Sequence, residues 1–318
     1  MAVIMQMKTV FLFPGQGSQA EGMLHALPPD DPDVKEVFAE SEEVLGAPVY
    51  SLDTKDKLTS TVYVQICLLI AGVISGRRLM AKGVRADFVA GHSVGAFSAA
   101  VVCGVLSFRQ ALMLVQSRGK LMQEAYPEGY GMAALVGFTE ARLTGYLREH
   151  NRTHSRVYLA NLNAIDQQVV AGQTESLQIL VGSLQNAGLR KAKFLNLAVP
   201  SHCALLKDVS GVLQHEMTSL PFKEPGVPYL SNHAARLVKT ADKVRMDLWI
   251  NIAMPVRWYE GICLLYESGA RLFIEMEPSG VLTKIVHSSF PDVQVLSMEK
   301  DNLESVLWAW ERRGIVEE

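Results

Sequence analysis

The chain has 318 residues, 49% of them hydrophobic and 20% charged, with a formal net charge of −3. This length suggests one large domain plus a smaller one, and the charge gives no footprint for nucleic acid. Four scattered cysteines (Cys67, Cys103, Cys203, Cys263) form neither a metal pattern nor a disulfide framework. The longest apolar run, Ile66 to Ile74, is too short for a bilayer, and Met1 to Lys8 lacks a signal-peptide form, so a cytoplasmic protein without metal or cofactor is expected.

In chain order, Thr9 to Phe13 reads as a buried strand ending at the Gly-rich loop Pro14-Gly-Gln-Gly-Ser18. Val62 to Lys82 reads as a core helix. Phe88 to Gly91 reads as a strand, followed by a helix over Ala96 to Val105 and another over Phe108 to Ala125. Such alternation favours a parallel α/β sheet. From Gly129 to Ala198 the texture changes. Strands are expected at Met132–Phe138, Val157–Leu162, Gln168–Ala171 and Lys193–Leu197, with helices from Thr139 to His150 and from Thr174 to Ala187. This β-α-β-β-α-β order fits a ferredoxin-like unit inserted in the larger domain. Residues 129–198 are thus assigned to the small domain, and residues 1–128 with 199–318 to the large one. Thereafter strands are expected at Tyr229–Ser231, Arg271–Met276 and Val293–Met298, and a helix at Trp258–Ser268.

The strand at Phe88 leads into Gly91-His-Ser-Val-Gly95. Glycines flanking a serine permit a sharp strand-to-helix turn that exposes the hydroxyl, and the following helix start offers free amides to a developing negative charge. Ser93 is therefore the candidate nucleophile, and it needs a base. His202, in the tight segment Val199-Pro-Ser-His-Cys203, leads the candidates, with His287 and His233 behind it. His92 belongs to the turn and is expected to point away from Ser93. His150 and His154 are read as exposed, and His25 and His215 lack special context. The amides of Gln16 and Val94 are candidates for an oxyanion hole if the two strands are neighbours. No Gly-Lys-Ser/Thr follows the Gly-rich loop, so it is not a phosphate loop. Arg118 admits two readings. It is either a surface arginine near a helix C-terminus or, turned inward, a bidentate clamp for a carboxylate.

Taken together, Phe13-Pro-Gly-Gln-Gly-Ser-Gln19, Gly91-His-Ser-Val-Gly95, Arg118-Gly-Lys-Leu-Met-Gln123 and Val199-Pro-Ser-His-Cys-Ala204 resemble the malonyl-CoA:acyl-carrier-protein transacylases. Asn161-Leu-Asn163, Val169-Val-Ala-Gly172, Pro255-Val-Arg-Trp258 and Pro278-Ser-Gly-Val-Leu282 extend the match over nearly the whole chain. The resemblance implies an α/β-hydrolase-like large domain with an inserted ferredoxin-like small domain, and ping-pong transfer of malonyl from malonyl-CoA to the thiol arm of an acyl carrier protein. It makes Ser93 the nucleophile and His202 the base, Gln16 and Val94 the oxyanion hole, and Arg118 the malonate clamp. The backbone of Asn251, where the family usually has glutamine, would orient the histidine, and His92 and Asn163 would line the pocket. At the elbow the family commonly has Glu and Tyr where this chain has Ala96 and Phe97. The resulting Gly-His-Ser-Val-Gly-Ala-Phe is similar to the transacylase (epsilon) subunit of bacterial malonate decarboxylase, which implies that enzyme's carrier subunit as acceptor. Fatty-acid synthesis is the alternative setting. A serine hydrolase or thioesterase using His287, and a docking subunit without turnover, are the competing readings.

Overall fold

The computed structural model describes residues 7–195, 199–278, 280–301 and 303–313. Two sheets organise it. The first contains β1 (Lys8–Phe13), β2 (Phe88–Gly91), β7 (Tyr229–Leu230), β8 (Leu237–Val238), β9 (Ala270–Glu275) and β10 (Gln294–Ser297) in the order β10-β9-β1-β2-β7-β8. All its pairings are parallel except β7 with β8. Apolar runs such as Val10–Phe13 are buried on both faces, as expected for strands covered by helices. From β1 the chain crosses one way to β2 and returns much later on the other side as β9. Such a topological switch opens a crevice at the carboxyl ends of the strands.

Helix α1 (Pro32–Leu45) is capped by Asp31, whose carboxylate accepts from the Asp33 amide. Helix α2 (Thr61–Ala81) starts at Ser60, whose hydroxyl accepts from the Val62 amide. By length and hydropathy α2 could cross a membrane, yet it is mostly buried in the protein core. Helices α3 (Gly95–Val102) and α4 (Phe108–Ala125) follow, the latter opened by a reciprocal capping box between Ser107 and Gln110. Gly119 lets α4 press against α2, since a Cβ there would lie 2.7 Å from the Val62 Cα.

The second sheet holds β3 (Tyr130–Val136), β4 (Tyr158–Ala164), β5 (Gln167–Gln173) and β6 (Lys191–Phe194), in the order β4-β5-β3-β6, with all pairings antiparallel. Helices α5 (Glu140–His150) and α6 (Thr174–Asn186) place Leu143, Leu147, Leu177 and Leu184 in a common core with Leu135 and Val170. Reciprocal bonds stitch β4 to the larger unit, with Leu162 N donating to Val256 O and Val256 N to Ala160 O, both at 2.9 Å. The remaining helices are α7 (Lys207–Thr218), α8 (Ala241–Ile250), α9 (Trp258–Glu267), α10 (Leu282–Ser289) and α11 (Leu303–Arg312).

Most expected elements lie within two residues of those observed. The strand expected at Lys193–Leu197 is found earlier, at Lys191–Phe194, and its expected residues 196 and 197 lie outside the described set. So do residues 1–6, 198, 279, 302 and 314–318, which belong to the expected domain ranges and, for Ser279, to a quoted motif. His150 is not exposed. It is buried, with Nε2 2.8 Å from the Ser176 hydroxyl, because α5 lies over the second sheet. Of the four free thiols, Cys263 is only half-buried.

Candidate active site

The site is assembled where β1 and β2 end side by side, with Phe13 paired to Gly91. The elbow after β2 is tight enough to require its glycines. A Cβ on Gly91 would lie 2.1 Å from the Gly95 carbonyl oxygen, and one on Gly95 would lie 2.2 Å from the Phe13 carbonyl oxygen. Ser93, between them, takes a left-handed φ of 56°, a costly state for a non-glycine residue that the surroundings must enforce. Gly15 likewise brings its loop against the elbow, since a Cβ there would sit 2.5 Å from the His92 carbonyl oxygen. Gln16 therefore borders the same small cavity of roughly 110 Å³ as Ser93 and His202. Among the described residues, neither the Gln16 nor the Val94 amide donates to a protein acceptor.

His202 reaches this point from a turn of its own, with a φ of 61° and its amide donating to the Ile252 carbonyl at 2.8 Å. Its Nε2 lies 2.8 Å from Ser93 Oγ, and its Nδ1 lies 2.5 Å from the Asn251 carbonyl oxygen. A carbonyl only accepts, so Nδ1 carries the proton and Nε2 is left to accept from the serine. Burial, reinforced by the nearby Arg118 charge, pulls the His202 pKa down to about 3. The imidazole is thus neutral at pH 7, as a base must be. Asn251 takes part through its backbone. Its side-chain nitrogen and oxygen are buried and have no partner among the described residues.

Arg118 is the decisive side chain. It sits on the face of α4 turned toward α2 and is 1% exposed, so it is not the surface arginine of the first reading. One terminal nitrogen donates to Gln65 Oε1 at 2.6 Å and the other lies 3.3 Å from Ser93 Oγ. Burial lowers its pKa to about 9, leaving it charged at neutral pH. Among the described residues no carboxylate pairs with it, and its Nε has no acceptor. A buried cation without an anion is costly.

The second sheet completes the cavity wall. His92 Nε2 lies 3.2 Å from Asn163 Oδ1 on β4, and burial pushes the His92 pKa down to about 4. Its ring turns toward β4, and it lines the cavity, as do Asn161 and Asn163. His287 lies exposed on α10, and His233 is engaged with Asp247, so neither faces Ser93. Sequence reasoning missed Gln65, whose signal is a lone amide inside the apolar run of α2. It also missed Asn232, whose Oδ1 accepts from the Ser93 amide at 3.0 Å and which no sequence pattern marks.

Fold and site together define an acyltransferase, and residues 10–306 match the acyl transferase domain family. The malonyl CoA-acyl carrier protein transacylase of Escherichia coli (strain K12) is 36% identical over 278 residues, 86% of this chain and 90% of that one. The corresponding transacylase from Coxiella burnetii superposes with a TM-score of 0.92 at 31% identity, covering 98% of this chain and 99% of that one. A malonyl-transacylase in complex with its type II PKS acyl-carrier protein gives 0.89 at 33% identity, over 96% and 99% of the two chains. The chain belongs to the malonyl-CoA–acyl carrier protein transacylase family.

Proposed function

We propose that this enzyme moves a malonyl group from malonyl-CoA to the thiol arm of an acyl carrier protein through an ester on Ser93. The observation that carries this reading is the unpaired buried guanidinium of Arg118, 3.3 Å from a serine hydroxyl that is itself 2.8 Å from a neutral imidazole. Ser93 Oγ attacks the thioester carbonyl as its proton passes to His202 Nε2. The oxyanion is received by the Gln16 and Val94 amides, and the Asn251 carbonyl steadies the imidazolium. Collapse breaks the C–S bond, and His202 returns the proton to the departing CoA sulfur. The carrier thiol then repeats the sequence in reverse, giving its proton to His202 and leaving with the malonyl group. Arg118 holds the free carboxylate throughout, which disfavours acetyl donors.

The strand orders of the two sheets support an α/β-hydrolase-like catalytic part with an inserted ferredoxin-like one. The relatives support an acyl carrier protein of the kind used in fatty-acid-type synthesis as acceptor. The malonate decarboxylase reading rests on Ala96 and Phe97. Both are wholly buried and do not line the cavity, so they alter packing at the start of α3 and leave the reacting groups untouched. It remains the second reading on that elbow sequence. Four free thiols accord with a reducing, cytoplasmic setting.

The test is intact-protein mass after mixing with malonyl-CoA or acetyl-CoA, without a carrier. The expected result is a malonyl adduct that Ser93→Ala abolishes, with little acetyl adduct. CoA release without any lasting adduct would favour a hydrolase, and no reaction with either donor a docking role. Offering the adduct a fatty-acid-type carrier or a dephospho-CoA-armed carrier then separates the two settings.

A further inference from the structure

Behind the elbow lies a buried carboxylate that the mechanism above does not use. Asp247, on α8, is fully buried, and six donors converge on it. Its Oδ2 accepts from the Tyr229 hydroxyl at 2.7 Å, the Asn232 amide at 3.1 Å and Asn232 Nδ2 at 3.3 Å. Its Oδ1 accepts from the Ser231 hydroxyl at 2.6 Å, the His233 amide at 3.2 Å and His233 Nδ1 at 2.7 Å. Burial alone would raise its pKa, but the bonds from His233 and Ser231 hold it below the usual carboxylate value. It is therefore an anion at neutral pH and presents only acceptors.

We propose that Asp247 is a positioning residue for the nucleophile, acting through Asn232. The proposal rests on the acyl-serine reading of Ser93. The two ends of an asparagine amide have the same shape, so its partners decide which way it points. Here Nδ2 donates to the Gly91 carbonyl at 2.9 Å and to Asp247 at 3.3 Å, Asp247 also holds the Asn232 amide, and Oδ1 meets the Ser93 amide at 3.0 Å. That bond grips the backbone of the one elbow residue forced to positive φ. The main chain of Asp247 serves the base as well. Its carbonyl accepts from the Asn251 amide at 3.0 Å, and the Asn251 carbonyl in turn receives His202 Nδ1. One residue thus ties the serine's backbone and the histidine's orienting carbonyl to the same helix end.

Asp247→Asn preserves volume but sets an NH₂ among donors, so Asn232 loses an acceptor that holds both its main-chain and its side-chain N–H groups, and the anchor on the Ser93 backbone is loosened. The test uses the full chain and compares wild type, Asp247→Asn, Asn232→Ala and the double variant. Single-turnover acylation by malonyl-CoA is followed by intact mass, alongside thermal melting. Misplacement of a reacting group on this scale slows chemistry by roughly tenfold to a hundredfold. Each single variant is expected to lose that much in the acylation rate constant, with the half-saturating malonyl-CoA concentration nearly unchanged. The double variant should be no slower than Asn232→Ala alone, because the two residues act in series. Losses that multiply, or wild-type acylation by folded Asp247→Asn, would overturn the proposal. If Asp247→Asn does not fold, folded Asn232→Ala acylating at the wild-type rate overturns it equally. A wild type that forms no malonyl adduct would instead remove the acyl-serine reading, and this proposal with it.

Discussion

Replacing Arg118 by alanine tests the proposed clamp that would separate malonyl from acetyl. The guanidinium is held by Gln65 and buried before any substrate arrives, so its desolvation is met at folding and not at binding. Unit charges about 4 Å apart attract by roughly 4 kcal/mol at an effective dielectric constant near 20, and a hydrogen bond to a charged group contributes about 1.5–3 kcal/mol net. Stripping the malonate carboxylate of water offsets part of this gain. Loss of the clamp should therefore cost malonyl transfer roughly 2–4 kcal/mol, about thirtyfold to a thousandfold in kcat/KM. Acetyl transfer lacks the carboxylate and should change little or improve, because the variant also removes a cation that depresses His202. The assay is competition between malonyl-CoA and acetyl-CoA for single-turnover acylation of Ser93. Arg118→Lys, which keeps the charge but not the fork, should fall between the two. A folded Arg118→Ala protein whose malonyl-to-acetyl preference stays within about threefold of wild type would refute the clamp.

Two further outcomes follow from buried groups. His92 and His202 are held neutral, with pKa values near 4 and 3 against an ordinary 6.5. Their contribution is complete above pH 6.5 and is lost as pH falls toward those values, because only the unfolded chain takes up the protons. Where both are fully protonated only when unfolded, the slope approaches roughly 2.7 kcal/mol per pH unit. Urea denaturation between pH 7.5 and 4.5 should show it, and His92→Gln should remove about half; an unchanged slope would contradict the assignment. Glu275 is fully buried and accepts from the amides of Gly280, Val281, Leu282 and Thr283 and from the Thr283 hydroxyl, capping α10. Glu275→Gln should destabilise by about 3 kcal/mol. Calorimetry checks it, and a midpoint within about 1 °C of wild type would count against the cap.

The parts of the fold that sequence reveals are those where local chemistry and tertiary structure agree. Helix α4 begins and ends where Ser107, Gln110 and the apolar spacing place it, and the elbow is visible because only glycine tolerates its two close approaches. The short strand β8 and helix α8 are harder, since a two-residue strand carries no period and α8 has only a weak apolar face. Site residues divide similarly. Ser93 and His202 stand in distinctive local settings, whereas the role of Asn232 exists only because β7 lies beside β2. Arg118 shows the limit most clearly. Its sequence neighbourhood fits a surface arginine at a helix end, and only the approach of α4 to α2 at Gly119 turns it inward.

That inward position links specificity to reactivity. In the free enzyme the Arg118 charge, second only to burial, lowers the basicity of His202. In the proposed reaction a bound malonate carboxylate would neutralise that charge at close range, so the imidazole would become a stronger base at the moment the correct acyl group lay over Ser93. An acetyl group fills the same space without lifting the repulsion. On the proposed clamp reading the same cation discriminates twice, once in binding the carboxylate and once in proton transfer, and this would offset the cost of burying a guanidinium 3.3 Å from the nucleophile.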